Sequence, residues 1–127
     1  PYIRLRAMRH LEKGRVVIFA CGTGNPYFST DTAAVLRAAE LKADAVFKGT
    51  NVMGVYDSDP NKNPAAKLIE RISCEDAVRK GLRAMDLTAF QLCIEARIKA
   101  VRVFSMEDLD NIIKVASGDS MGTTLYN

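Results

Sequence analysis

Short apolar runs rich in β-branched residues alternate with helical patterns along this chain, and that alternation limits the possible folds more than any other feature. The first run is Val16-Val17-Ile18-Phe19-Ala20, of the kind buried on both faces of a parallel sheet, and it predicts a central strand. A loop from Cys21 to Thr30 follows, with Gly22, Gly24, Asn25 and Pro26. A helical pattern then runs from Asp31 through Leu41, with Thr30 or Asp31 as its N-cap. Ala45 to Thr50 reads as the next strand, so the stretch forms a right-handed βαβ unit.

The remaining chain continues the alternation. Leu5, Met8 and Leu11 fall at helical intervals ahead of Gly14, which stops a helix over residues 5–13. Asn51 to Pro64 is a polar excursion broken by Gly54, Pro60 and Pro64, with Val55-Tyr56 isolated inside it; it predicts a surface loop or short hairpin. Helices are expected over 75–80 and 86–96, a strand over 101–105, a helix over 106–116, and a closing edge strand over 122–126. Strands, helices and Gly-rich loops in this order predict a single α/β domain of 127 residues with a mainly parallel sheet. Ligands of such folds bind at the loops that leave the strand ends.

Composition removes several function classes. At 48% hydrophobic and 26% charged, the chain is an ordinary globular one and needs neither disorder nor a fibrous repeat. Its net charge of +3 is spread without a basic block, so nucleic acid is not an expected partner. Cys21, Cys74 and Cys93 have neither CxxC nor CxxH spacing, which argues against a disulfide framework or a zinc site. His10 has no second ligand beside it. No apolar run approaches the roughly 20 residues a membrane-spanning helix needs, so no membrane partner is expected. The chain begins at Pro1 and enters a helical pattern at once, as a piece of a longer protein does.

The chemistry concentrates in a few segments. Gly22-Thr23-Gly24-Asn25-Pro26 lies between an apolar run and a helix start, where free backbone N–H groups and the helix dipole favour an anion. Thr23, Asn25, Ser29 and Thr30 add hydrogen-bonding groups; the plain alternative is an ordinary Gly-rich turn, since the segment is neither a Walker loop nor GxGxxG. Lys48 ends an otherwise apolar strand, where it either meets a ligand or emerges into solvent. Asp57 and Asp59 are either ribose or magnesium contacts or plain turn residues. Asp86 precedes an apolar helical stretch, and N-capping is its default role.

Taken together, Arg9 to Phe19, Gly22-Thr23-Gly24-Asn25-Pro26-Tyr27-Phe28-Ser29-Thr30-Asp31, Phe47-Lys48-Gly49-Thr50 to Pro60, Met85-Asp86-Leu87-Thr88-Ala89 and Val101-Arg102-Val103-Phe104 closely resemble the uridylate (UMP) kinases of bacteria and plastids. The resemblance covers nearly the whole chain, in the right motif order. It implies a three-layer α/β/α sandwich of the amino acid kinase type, of which residues 1–127 are the carboxyl-terminal, nucleotide-binding half. It also implies transfer of the ATP γ-phosphoryl group to UMP with Mg2+, hexameric assembly, a possible GTP effector near Arg15, and a cytoplasmic or plastid-stromal setting.

Residue by residue, the resemblance assigns UMP to Thr23, Gly24, Asn25, Pro26, Tyr27, Phe28, Ser29 and Thr30. It assigns ATP to Thr50, Tyr56 and Asp59, with Tyr56 near the adenine, and no protein-held metal. Lys48 would face the transferred group, and Asp86 would orient catalytic lysines. Three positions depart from the usual pattern: Gly49 stands for alanine, Met53 for an aspartate, and Ser29 for threonine. The family's amino-terminal half carries a Gly-rich phosphate loop with a catalytic lysine, and that loop is not found in these residues. The chain by itself is therefore expected to turn over no UMP, and the alternative is a non-catalytic nucleotide-binding module of the same fold.

Overall fold

The structure, a computed structural model, describes residues 1–127. Its sheet has four strands: β1 (Ala45–Thr50), β2 (Arg71–Ser73), β3 (Ala100–Ser105) and β4 (Thr123–Tyr126), in the order β1-β3-β4-β2. β1 pairs with β3 in parallel and β2 with β4 in parallel; β3 and β4 are antiparallel. The sheet is mainly parallel, as expected. β4 lies inside it rather than at an edge, because β2, too short to announce itself as Arg-Ile-Ser, pairs along its outer side.

Five helices complete the chain: α1 (Arg4–Glu12), α2 (Thr30–Leu41), α3 (Cys74–Arg79), α4 (Leu87–Glu95) and α5 (Asp110–Ala116). Val35 and Ala38 of α2, Ala77 of α3 and Ala89, Phe90 and Cys93 of α4 bury into one cluster with Val46, Ile72, Val101, Val103 and Leu125 of the sheet. Side chains alternate along a strand, so Phe104 points to the face opposite Val101 and Val103. There Phe104 meets Phe47 edge to face, and α5 packs against β3 with Val115 buried. Helices on both faces of a sheet make an α/β fold of three layers.

The capping pattern corrects one expectation. Ser29, not Thr30 or Asp31, is the N-cap of α2, accepting from the Thr32 N–H at 3.1 Å. α5 also begins later than the apolar spacing suggests, because Asp108 forms a turn with the Asp110 N–H before the helix sets in. Gly14 stops α1 with φ +69°.

The first expected strand is absent. Val16 to Ala20 has no strand partner and exchanges no backbone hydrogen bond within the chain. Val16 and Ile18 are 93% and 89% exposed. A β-branched run has the propensity for a strand, but a strand exists only where a neighbour supplies the ladder. The βαβ unit expected across residues 16–50 is thus only α2 and β1 here.

The excursion after β1 is a short hairpin, as one of the two expectations has it. Tyr56 bridges Leu68, the Asp57 N–H donates to the Lys67 carbonyl at 3.0 Å, and the Ile69 N–H donates to the Val55 carbonyl at 2.8 Å. Fully buried Thr123 pins its base, accepting from the Val55 N–H at 2.8 Å and donating to the Ile69 carbonyl at 2.6 Å. Gly54 lies so close to Thr123 and Leu68 that a β-carbon there would meet the Thr123 hydroxyl at 2.7 Å.

Two outcomes follow from this packing. Thr123→Val keeps the shape but strands the Val55 N–H and the Ile69 carbonyl, so urea unfolding should show a loss of about 1–3 kcal/mol. Cys74 and Cys93 are buried, and burial, with Cys74 nearby, pushes the Cys93 thiol up to about 12. Only exposed Cys21 should react quickly with a chromogenic disulfide in the native chain, with all three thiols reacting after denaturation. Fast reaction of two or more native thiols would contradict the buried positions.

Candidate functional site

The carboxyl end of β1 delivers a lysine to the edge of the core. Lys48 Nζ donates to Asp31 Oδ2 at 2.5 Å and to the Ala84 carbonyl at 2.8 Å. Both side chains of the ion pair are only about a quarter exposed, at 25% and 22%. A charge so placed needs a partner. Asp31, in the first turn of α2, supplies it.

Lys48 borders a cavity of about 480 Å³ that Thr50, Tyr56 and Asp59 also line. All three residues assigned to ATP from the sequence therefore share one concavity with the lysine. The hairpin is tied together by its own acids: Asp57 Oδ1 accepts from the Lys67 N–H across the arms at 2.9 Å, and Asp59 Oδ1 accepts from the Asn61 N–H at 3.0 Å. The Lys67 N–H is the leading cause that holds the Asp57 carboxyl below its ordinary range. Gly49 backs directly onto the Met106 side chain, so an alanine there would require Met106 to move. Met53 is half exposed on the loop and makes no contact that explains its place.

The Gly-rich loop runs into the start of α2 and lines separate cavities. Cys21, Gly22, Gly24 and Tyr27 all have positive φ, a tight path that the two glycines adopt without strain. Thr23 Oγ1 accepts from the Asn25 N–H at 3.1 Å. Thr23, Asn25 and Phe28 line a second cavity, of about 320 Å³, with Thr32 and the α4 residues Thr88, Gln91 and Glu95. Gly24, with Thr23, lines a neighbouring cavity along the Val17 to Ala20 segment. Pro26, Tyr27, Ser29 and Thr30 line none of these cavities; Tyr27 is fully exposed, and Thr30 begins α2.

Asp86 ties the loop to α4. Its carboxylate caps α4 by accepting from the Ala89 N–H at 2.9 Å, and it accepts from the Thr32 hydroxyl at 3.1 Å and from the Ser29 hydroxyl. Burial works to raise its pKa, but the hydrogen bonds from Ser29, the Ala89 N–H and Thr32 outweigh it and hold the carboxyl low. Asp86 makes no hydrogen bond to Lys48; the carboxylate on Lys48 is Asp31. An acid in the first turn of a helix reads in sequence as a dipole partner. Only the fold shows that it also faces the end of β1. Two residues before Asp86, the Ala84 carbonyl holds Lys48, so the segment 84–86 touches the lysine at one end and the loop at the other.

No group of three or more His, Cys, Asp or Glu side chains converges as a metal cage. No helix is long and apolar enough to cross a membrane.

Residues 3–105 match the model of the amino acid kinase family. The chain belongs to the amino acid kinase family. It is 54% identical over 125 residues to a chloroplastic uridylate kinase of Arabidopsis thaliana, PUMPKIN, covering 98% of this chain and 37% of that protein. Among solved structures it resembles the UMP kinase of Bacillus anthracis with 35% identity and a TM-score of 0.94, covering 99% of this chain and 52% of that one. For the UMP kinase of Ureaplasma parvum the values are 37% identity and a TM-score of 0.90, covering 99% and 54%. The chain thus spans about half the length of the bacterial kinases and less of the plant one. The α/β fold expected from its pattern is the fold of these kinases.

The Asp86 carboxyl is held below its ordinary value of 3.8, so its contribution to stability is complete at neutral pH and falls away as pH drops below about 3.8. Urea unfolding between pH 7 and pH 2.5 should show that component in the wild type and lack it in Asp86→Asn. Asp86→Ala should cost about 1–2 kcal/mol at pH 7 from the lost cap alone. Equal acid sensitivity of the wild type and the Asn variant would remove Asp86 from this account.

Proposed function

We propose that this chain is the carboxyl-terminal, nucleotide-binding portion, a single partial domain, of a uridylate kinase that transfers the ATP γ-phosphoryl group to UMP. The observation that carries the reading is the placement of Lys48 with Thr50, Tyr56 and Asp59 around one cavity, while its counter-ion Asp31 extends from the helix that the Gly-rich loop opens. Phosphoryl transfer asks a protein mainly to position donor and acceptor in line and to neutralise the charge between them. Lys48 is the cation at the strand end for that purpose, with Asp31 and the Ala84 carbonyl fixing its Nζ.

Tyr56 packs the donor's base and Asp59 presents its second carboxylate oxygen to the donor. On the acceptor side, Thr23 and Asn25 read the pyrimidine with Gly24 and Phe28 beside them, and the loop then runs through Pro26, Tyr27, Ser29 and Thr30, which line none of these cavities, to the start of α2. Asp86 acts on this loop as a positioning residue through Ser29 and Thr32. Magnesium fits as an ion that arrives on the phosphates: Asp57 and Asp59 offer carboxylates at the cavity, and Mg2+ commonly takes only one or two from protein. When bound, it offsets the negative charge of the phosphates.

The likeness to plant and bacterial UMP kinases supports UMP and ATP as substrates, and the chloroplastic relative supports a plastid setting. A hexamer, and a GTP effector near Arg15, extend the same reading; Arg15 already donates to His10 at 2.8 Å.

Thermal shift with UMP, ATP and aspartate tests the assignment, because a ligand bound only by the folded state raises its melting temperature. UMP and ATP should each stabilise the chain and aspartate should not. With ATP, Mg2+ and UMP together, this chain alone should form no UDP. In the longer polypeptide, Lys48→Met should lower kcat by about 100-fold or more while leaving KM for UMP nearly unchanged, as loss of a transition-state contact does. Stabilisation by aspartate but not UMP would defeat the proposal.

A further inference from the structure

We infer that Lys62, Lys80 and Arg83 form a cradle for the polyphosphate of the nucleotide that enters the cavity beside Tyr56. The inference rests on the nucleotide reading of that cavity and names the residues that would hold the charged end. All three line it, and they come from two separate segments. Lys62 sits in the turn of the hairpin, where its N–H donates to the Asp59 carbonyl; Lys80 and Arg83 sit in the connection from α3 to α4.

These cations are free. None of their side chains makes a hydrogen bond or an ion pair; other exposed cations such as Lys13, Lys42 and Arg97 are also unpaired, and what sets these three apart is that they line one cavity. The other cation at the cavity, Lys48, is already matched by Asp31. Asp57 and Asp59 line the same cavity, and although each accepts a backbone N–H of the hairpin, both keep their negative charge. Three unpaired cations thus line one concavity with two carboxylates, which leaves a positive excess there.

Like charges gathered in one concavity repel each other, and a polyanion relieves that repulsion. A triphosphate carries the required charge and length. Arg83 suits it best, because a guanidinium fork can grip two phosphate oxygens at once, and lysines serve as point charges. Lys80 has a local reason for its place, as a cation beyond the last turn of α3. Lys62 and Arg83 have no such reason, so they carry the test.

The 127-residue chain is titrated calorimetrically, at one fixed salt concentration, with ATP, adenosine and inorganic tripolyphosphate. The double variant Lys62→Ala/Arg83→Ala should lose about tenfold or more in affinity for both ATP and tripolyphosphate. Its affinity for adenosine should stay within twofold of wild type. Arg83→Lys should recover most of the loss, and Arg83→Glu should deepen it. Both residues are exposed on loops, and thermal melts report whether each variant keeps its fold. Unchanged ATP binding in the double variant, or a parallel loss of adenosine binding in a folded variant, would overturn the cradle. The two readings separate in the wild type. Tripolyphosphate binding without adenosine binding keeps the cradle and sinks the nucleotide assignment; adenosine binding without tripolyphosphate binding does the reverse.

Discussion

Lys48 can stand at the end of β1 only because two other segments meet it. A lysine about three-quarters buried is costly to leave unpaired, and here Asp31 supplies the opposite charge and Ala84 a carbonyl. That contact joins the first turn of α2, the end of β1 and the connection into α4. Removing Asp31 would leave the cation without its counter-charge and would release the start of α2 from the sheet. The geometry of both cavities follows from this junction, because the Gly-rich loop opens α2 and the hairpin continues from β1.

Asp86 makes the second junction in the same small region. Its carboxylate caps α4 and accepts hydroxyls from Ser29 and Thr32, so α2 and α4 are joined where the loop ends. Ser29 serves twice: its hydroxyl oxygen accepts from the Thr32 N–H and its proton goes to Asp86. The family's usual threonine at that position has the same hydroxyl, which accounts for the conservative departure. Asp31 and Asp86 thus divide the work between them. The former neutralises a cation and the latter fixes a loop.

Much of this is legible in the residues. The helices at 4–12, 30–41, 74–79 and 87–95 and the strands at 45–50 and 100–105 follow from periodicity and β-branching, because their partners lie within the chain. Val16 to Ala20 carries the same signal yet forms no strand. Propensity is local, but a ladder needs a neighbour, and none is beside it. β2 escapes notice for the opposite reason: three residues give no period, and it exists because β4 pairs with it. Lys48 stands out in sequence as a charge in an apolar run. Asp31 does not, since a first-turn acid has a sufficient local explanation. Asp86 reads correctly as a cap, while its grip on Ser29 and Thr32 spans 57 and 54 residues and no spacing rule contains it.

The unpaired segment also shows where this portion of the fold supports itself and where it does not. The buried cluster draws on α2, α3, α4 and the four strands, and none of its members comes from residues 16–20. The sheet and its helices therefore do not depend on that stretch for burial. α1 reaches the body by other means, with Arg4 donating to the Glu40 carbonyl at 2.5 Å and Arg37 stacking on the Tyr2 ring at 3.9 Å. The Gly-rich loop is held firmly at its far end by Ser29, while its near end has no backbone hydrogen bond at Ala20 and only the Phe19 ring, edge to face on Tyr2, to hold it. A loop hydrogen-bonded at one end and held at the other by an aromatic contact retains the turn that Thr23 and Asn25 build between themselves, while its position over α4 is less constrained. Ligand contacts made by Thr23 should consequently be more sensitive to anything that pairs with residues 16–20 than contacts made around Lys48, whose three supporting segments all belong to the buried core.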